Sequence, residues 1–242
     1  MILTENINLK NSLIGFKNYL SQKGNFEKSM IFFWFLGPFI YLVERSPADI
    51  WLTLIGIIFL LRSFFLNDWS WTKIKWFKFA FFFWLFSLFS SIMGPMPIFT
   101  FGEGFFWIRF PLYAVAIQHW LGRNRDLRVI MLFILIVSMT IMSAILFTEA
   151  VIEPKRRLTW PYGDLIPGTD LAKFCLPATC VLVSIAVAKF SKVSFLSGFY
   201  LLITFVASYI TGERTNLIIR FCSSVIAVFS NKFSFKMILI WL

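Results

Sequence analysis

Cationic side chains inside apolar stretches are the residues of this sequence that could do chemistry. The segment "TGERTN", residues 211–216, places Glu213 and Arg214 side by side between two apolar stretches, with Arg220 six residues further on. Arg109 lies within another apolar stretch, "FFWIRFPLYAVA". Hydrocarbon does not solvate a guanidinium, so an arginine inside a bilayer by default marks a substrate pathway or a buried ion pair. We therefore treat these arginines as candidates for binding an anion.

Composition indicates which class of protein positions these residues. The chain is 59% hydrophobic and 14% charged, whereas soluble domains average about 25% charged residues. It contains 32 phenylalanines and ten tryptophans, and aromatic residues suit both the interior and the edges of a bilayer. The sequence therefore predicts an all-α polytopic membrane protein.

Apolar stretches give the number of transmembrane helices, since each needs about 20 mostly apolar residues. They predict about eight to nine spans in a single membrane domain over residues 30–242. The last stretch stops at Leu242, too soon to cross a bilayer. It either re-enters the membrane or is the incomplete last span of a truncated version of a longer protein, and we favour truncation. The predicted spans are 30–43, 49–66, 77–94, 102–120, 129–148, 171–188, 195–211, 216–230 and one beginning near 235.

Glycine and proline predict a turn between two of these spans and a kink within a third. Residues 195–230 as one helix would extend about 54 Å at 1.5 Å per residue, against a hydrocarbon core of about 30 Å. Gly212 therefore marks a turn. Pro111 follows Arg109 closely, and it should kink its helix and release a carbonyl, because proline has no N–H to donate.

The distribution of lysine and arginine predicts the orientation. With a cytoplasmic N-terminus, 15 of the 23 basic residues fall in cytoplasmic segments and five in external ones, as the positive-inside rule requires. The net charge of +11 is thus explained by topology and contact with anionic membrane lipids, without nucleic acid. Residues 1–29 are predicted to form a cytoplasmic amphipathic segment, because Leu9, Leu13, Phe16 and Leu20 share one helical face.

This orientation puts the candidate cations towards the external side. The external loop 149–170 contains three prolines and a run of basic residues. Arginine binds phosphate through two parallel hydrogen bonds, so a lipid phosphate or diphosphate is the predicted ligand. Glu213 and Asp164 are weak candidates for orienting the arginines or acting as a base. The predicted anion-binding residues are Arg109, Arg156, Arg157, Lys173, Arg214 and Arg220.

Other kinds of site find little support in the sequence. The single histidine, His119, is predicted to be cytoplasmic, which leaves no histidine for Ser/His/Asp catalysis on the external side. No cluster has the spacing of metal ligands, so we expect neither a metal nor another cofactor. Cys175, Cys180 and Cys222 fall inside predicted spans and are interpreted as small buried hydrophobic residues.

Three motifs carry a resemblance to a known family: "FFWIRFPLYA", "RRLTWPYGDLIPGTDLAKFCLP" and "YITGERTNLII". Their order and predicted side resemble the O-antigen ligase and O-antigen polymerase membrane proteins over about residues 30–230. The resemblance implies a glycosyltransferase-like enzyme in the bacterial inner membrane, acting on its periplasmic side. It would transfer a glycan from undecaprenyl diphosphate to lipid A–core or to a growing glycan, without a metal or nucleotide. It also implies that Arg214, Arg109 and Arg157 bind the diphosphate.

The chain departs from that family near its end. Full members continue into further spans and a large periplasmic loop, which in the ligases carries a histidine, so this chain is expected to lack part of the active site. Ligase and polymerase both stay open. Two other readings also stay open: a transporter or flippase for an anionic lipid or solute, and a non-catalytic membrane protein whose arginines pair with Glu213, Asp164 or Glu103.

Overall fold

The described part of the protein is helical throughout. The structure is a computed structural model, and it describes residues 9–43, 45–93, 97–152, 167–188, 192–212 and 214–230. These residues form helices joined by turns and contain no strand, which confirms the all-α class. The α-helices are α1 (Leu9–Ser21), α2 (Asn25–Val43), α3 (Arg45–Phe65), α4 (Lys75–Ile92), α5 (Pro97–Phe106), α6 (Arg109–Ala116), α7 (Arg125–Ile152), α8 (Pro167–Ala188), α9 (Lys192–Ile210) and α10 (Arg214–Ser230).

Within the part of the chain that the structure describes, four helical segments are long and apolar enough to cross a membrane: Asn25–Val43, Ser46–Phe65, Arg125–Ile152 and Val193–Ile210. They support the prediction of a membrane protein. The apolar parts of α8 and α10 within the described residues are shorter. The total of eight to nine spans and the cytoplasmic N-terminus therefore stay predictions.

The stretch 102–120, expected to be one span, is divided. It comprises the end of α5, a turn, α6 and a short π-helix at Ile117–Leu121. Pro111 explains the break, because it cannot donate a hydrogen bond to the carbonyl of Trp107. That carbonyl instead accepts the backbone N–H of Phe110 at 3.1 Å. The interruption expected from Pro111 is therefore present, at Trp107 and Ile108. The expectation of a released carbonyl is wrong, because the Trp107 carbonyl accepts the Phe110 N–H.

The segment predicted to be amphipathic forms α1. Phe16 on its apolar face contacts the rings of Phe32 and Phe35, with centroids 6.3 and 5.9 Å away. Leu13 on the same face is exposed. The helix is therefore present, and its place on the inner leaflet stays a prediction.

The chain packs as two compact units, and Gly15–Arg128 forms the first. We call it the aromatic unit, because tryptophan and phenylalanine dominate its interior. Two of the buried indole N–H groups have partners inside the unit: Trp51 donates to the Phe33 carbonyl at 2.8 Å, and Trp71 donates to the Ser63 hydroxyl at 3.0 Å. A buried indole needs such a partner, and each one fixes the orientation of its ring. The buried aromatic residues are Trp34, Phe35, Trp51, Phe59, Trp71, Phe77 and Trp120.

Close contact between α2 and α3 depends on Gly37. A Cβ atom at this position would overlap the ring of Trp51. The same ring is held by its hydrogen bond to Phe33, so it cannot easily move aside. The absence of a side chain at Gly37 thus allows the two helices to approach.

The second unit comprises Val129–Leu242 together with Met1–Ile14. In its described part α8 packs against both α9 and α10. We call it the small-residue unit, because alanine, serine and threonine are prominent among its buried residues, as is typical of helices that approach closely in lipid. Some buried hydroxyls donate to the carbonyl one turn earlier, as Ser184 does to Cys180 at 2.8 Å. The small buried residues include Ala178, Thr179, Ser184, Ala186, Ser194, Ser197, Thr204, Ala207, Ser208, Ser223 and Ala227.

The expectation of one membrane domain over residues 30–242 stays a prediction.

Candidate functional site

The turn between α9 and α10 contains the motif from which the site was predicted. Gly212 has a φ of 71°, in the left-handed region that glycine enters without steric cost. Its N–H donates to the Tyr209 carbonyl at 3.1 Å, which closes the end of α9. The next helix begins at Arg214. The predicted turn at Gly212 is therefore confirmed.

The structure places the two arginines of α10 in different surroundings. Arg214 is the first residue of the helix and is exposed. The first backbone N–H groups of a helix have no acceptor within the helix, and the helix dipole favours anions there. Arg220 is only 1% exposed. Six residues correspond to a rotation of about 240° and a rise of about 9 Å, so one helix does not bring both guanidinium groups to one point.

Arg220 shares its unit with a second buried charge. Among the described residues of the small-residue unit, the buried charged side chains are Glu149 on α7 and Arg220 on α10. Removing a charge from water costs several kcal/mol per ion and requires compensation by partners. The two charges have opposite signs, so each is a suitable counter-ion for the other.

Arg109 lies in the aromatic unit and is paired. Its Nη2 atom is 3.2 Å from Oδ2 of Asp49 at the start of α3, and both side chains are partly buried. Its guanidinium carbon also lies 5.0 Å from the ring centroid of Phe110, within cation–π range. The sequence-based alternative named Glu103, Asp164 and Glu213 as possible partners of the arginines, and for Arg109 the observed partner is Asp49. Asp49 and Arg109 are both predicted to lie towards the external side of the membrane, and this shared side was the sequence feature that could have suggested the pair.

The sequence predicts five further residues in this site. Arg156, Arg157, Asp164 and Glu213 lie outside the described residues. Lys173 belongs to α8, but its side chain is likewise outside the described part. Their role in an anion site stays a prediction.

Sequence reasoning missed a polar cluster around His119, at the other predicted side of the membrane. Its Nε2 atom is 3.0 Å from Oδ2 of Asp68 and 3.3 Å from Oγ of Ser70. The Ser70 hydroxyl donates to Oδ1 of Asp68 at 2.6 Å. The pKa of Asp68 is lowered to about 2, chiefly by the Ser70 hydroxyl and then by His119. Asn67, with a φ of 52°, turns the chain just after α3.

This cluster is not a catalytic triad. In a triad the serine and the carboxylate contact different nitrogens of the imidazole, and the serine proton goes to the histidine. Here Ser70 and Asp68 both contact Nε2, and the serine donates to the aspartate. The arrangement therefore joins the loop after α3 to the π-helix and leaves no activated nucleophile.

A second polar group strengthens the same unit. Glu27 on α2 is 3.1 Å from Nζ of Lys23 and 3.7 Å from Nη2 of Arg62 on α3. The hydrogen bond to Glu27 is the main cause that raises the pKa of Lys23. The guanidinium of Arg62 also lies 5.2 Å from the ring centroid of Trp120. These contacts connect α2, α3 and the π-helix.

Comparisons with known protein families, curated proteins and solved structures find no match to this chain. The class is therefore defined by the fold of the described residues, which are helical and include four helices long and apolar enough to cross a membrane. Three candidate site residues have described side chains: Arg214 is exposed, Arg109 is paired with Asp49, and Arg220 is buried.

Proposed function

We propose that the chain acts in glycan transfer from an undecaprenyl diphosphate carrier on the periplasmic side of the bacterial inner membrane, as an O-antigen ligase or polymerase does. Eight to nine spans and a cytoplasmic N-terminus are part of this proposal. The observation that carries it is the turn at Gly212, which leaves Arg214 exposed at the start of α10. The acceptor would be lipid A–core or a growing glycan.

The proposed chemistry needs positive charge more than it needs a nucleophile. As the bond between sugar and diphosphate breaks, negative charge grows on the departing diphosphate, and cations held in place stabilise it. Arg214 is assigned this role together with the unpaired N–H groups at the start of α10. Arg156, Arg157, Lys173 and Arg220 are proposed to extend the same site. Glu213 or Asp164 would take the proton of the acceptor hydroxyl.

Arg109 is proposed to bind the diphosphate as well, but with only part of its guanidinium. Asp49 holds one terminal nitrogen, but a guanidinium has five N–H donors. Its remaining donors could still bind a phosphate oxygen, while the aspartate fixes the orientation of the group. A carboxylate so close also offsets part of the charge, so we expect a smaller contribution from Arg109 than from Arg214.

A binding experiment tests the role of Arg214. The protein in nanodiscs is titrated with a fluorescent undecaprenyl diphosphate, and inorganic diphosphate is added as competitor. Arg214→Ala should weaken binding by about tenfold or more, because an arginine–phosphate contact contributes about 1.5–3 kcal/mol. Arg214→Lys should recover part of the loss. Arg128→Ala serves as the matched control, since Arg128 is also an exposed arginine in the first turn of a helix, α7.

Equal binding by wild type and Arg214→Ala would contradict the proposal. Movement of the labelled lipid across the bilayer without any covalent product would instead support the transporter or flippase reading.

A further inference from the structure

A groove on the aromatic unit lies between α3, α4 and the start of α6. Its volume is about 630 Å³. We call it the lysine groove, because Lys78 is the one charged residue among the described residues that line it; apart from Lys78 and Thr72 its walls are aromatic or aliphatic. The apolar walls include Leu60, Phe77, Phe81, Phe82, Ile108 and Leu112.

The lining of this groove offers little to a polar ligand. Trp71 and Trp84 both border it, yet their indole N–H groups are already used. Trp71 donates to the Ser63 hydroxyl at 3.0 Å, and Trp84 donates to the Gly104 carbonyl at 3.0 Å. The groove thus presents ring faces and no free indole donor, which suits a hydrocarbon chain.

The groove also lies on a side of α4 that is open to lipid. Phe81 and Phe82, which line the groove on α4, are both exposed. Large apolar side chains exposed on a helix of a membrane protein are expected to face hydrocarbon. A lipid chain can therefore enter from the side, without passing through water.

Two further lysines lie close to Lys78 in the chain. Lys73 and Lys75 accompany Lys78 around the start of α4, and all three are exposed. Among the described residues no carboxylate forms an ion pair with them, since the neighbouring Asp68 bonds to Ser70 and His119. Three unneutralised lysines beside an apolar groove are complementary to an anionic headgroup joined to an acyl chain.

From this complementarity we propose that the lysine groove binds one anionic phospholipid, with an acyl chain along Phe77 and Phe81 and the headgroup phosphate at Lys78. This site is separate from the proposed diphosphate site. It uses neither Arg109 nor any residue of α10.

The same unit provides an internal comparison. A second groove of about 580 Å³ lies between α2 and α3, and no cation lines it. We call it the neutral groove; its lining includes Ser29, Phe32, Phe33, Leu36, Leu54 and Ile58. The two grooves are similar in size and apolar character. The neutral groove should therefore take lipid chains without preference for the headgroup.

Native mass spectrometry of the purified protein tests the proposal. The protein in detergent is titrated with phosphatidylglycerol and phosphatidylcholine carrying identical acyl chains, and the first-bound lipid is counted for each. Wild type should prefer phosphatidylglycerol. Lys78→Gln should reduce that preference by about fivefold, since one lysine near an anionic lipid contributes on the order of 1 kcal/mol. Arg128→Gln, an equal change of charge outside the groove, should leave the preference unchanged.

A second variant tests the apolar part. Ile108→Trp should fill the groove and remove the preferred phosphatidylglycerol while the neutral groove still binds either lipid; circular dichroism checks that the variant folds. Equal binding of the two lipids by wild type would overturn the proposal. It would also be overturned if Lys78→Gln kept the wild-type preference.

Discussion

The aromatic unit and the small-residue unit solve the same packing problem in opposite ways. Lipid chains are as apolar as leucine, so helices in a membrane gain little from hydrophobic burial and depend on close packing and hydrogen bonds. The aromatic unit fills its interior with large rings and secures them through indole N–H groups, as at Trp51 and Trp71. The small-residue unit buries many alanine, serine and threonine side chains, which allow helix backbones to approach.

Charge is treated differently as well. In the aromatic unit Arg109 pairs with Asp49 where both remain partly accessible. In the small-residue unit Arg220 and Glu149 are both buried. The aromatic unit thus keeps this ion pair partly accessible to solvent, whereas the small-residue unit buries its two charged residues. The comparison predicts larger effects for changes in the enclosed charges than for changes in the accessible pair.

The largest effect is expected at Arg220. Arg220→Met should lower the free energy of unfolding by about 3–5 kcal/mol, because it leaves the buried carboxylate of Glu149 without a compensating positive charge. Thermal unfolding in detergent measures the loss. If Glu149 is the compensating charge, Glu149→Gln combined with Arg220→Met should cost less than the sum of the two single changes. Additive losses would show that the two charges are not coupled.

The second largest effect is expected at Gly37, where adding one methyl group should lower the stability of the aromatic unit. Gly37→Ala should destabilise by about 1–3 kcal/mol, because the new Cβ overlaps the ring of Trp51. Gly102→Ala is the matched control, since a Cβ there meets no other atom within 4 Å. The prediction fails if both variants unfold at the same temperature.

A smaller effect is expected for the accessible ion pair. Arg109→Gln and Asp49→Asn should each cost about 1 kcal/mol or less, because solvent screens a partly exposed pair. The double variant should be no less stable than either single variant. A loss as large as that of Arg220→Met would remove the proposed difference between the units.

Asp68 should give the smallest effect, and a pH-dependent one. Its pKa in the folded protein is about 2, below the value of about 3.9 for a free aspartate. The ionised carboxylate therefore stabilises the fold above about pH 4, and this contribution is lost as the pH falls towards 2. Wild type should melt slightly above Asp68→Asn at pH 6, and the two melting temperatures should converge near pH 2. A constant difference between them would contradict the lowered pKa.

Local features of the sequence predicted several structural details. Gly212 ends α9 because its positive φ is accessible to glycine, and Pro111 divides its helix because it lacks an N–H group. The amphipathic spacing of Leu9, Leu13 and Phe16 also predicted α1. Each of these outcomes depends on a few neighbouring residues, so no knowledge of packing was needed.

Partnerships between distant residues could not be predicted in the same way. Sequence reasoning considered Glu103 for the arginines and left His119 without a partner, whereas the structure pairs Arg109 with Asp49 and His119 with Asp68. Both pairs join residues that are far apart in the chain. Their contacts depend on which helices pack together and at what height.

The sequence by itself determined that this is an all-helical protein suited to a membrane, because hydropathy, glycine and proline act locally on each segment. It also marked the arginines as unusual, because the cost of a charge in hydrocarbon does not depend on the fold. Only the tertiary structure decided that Arg214 is exposed, Arg109 is paired and Arg220 is buried. Burial and pairing arise from neighbouring helices, and the periodicity of one helix contains no information about its neighbours.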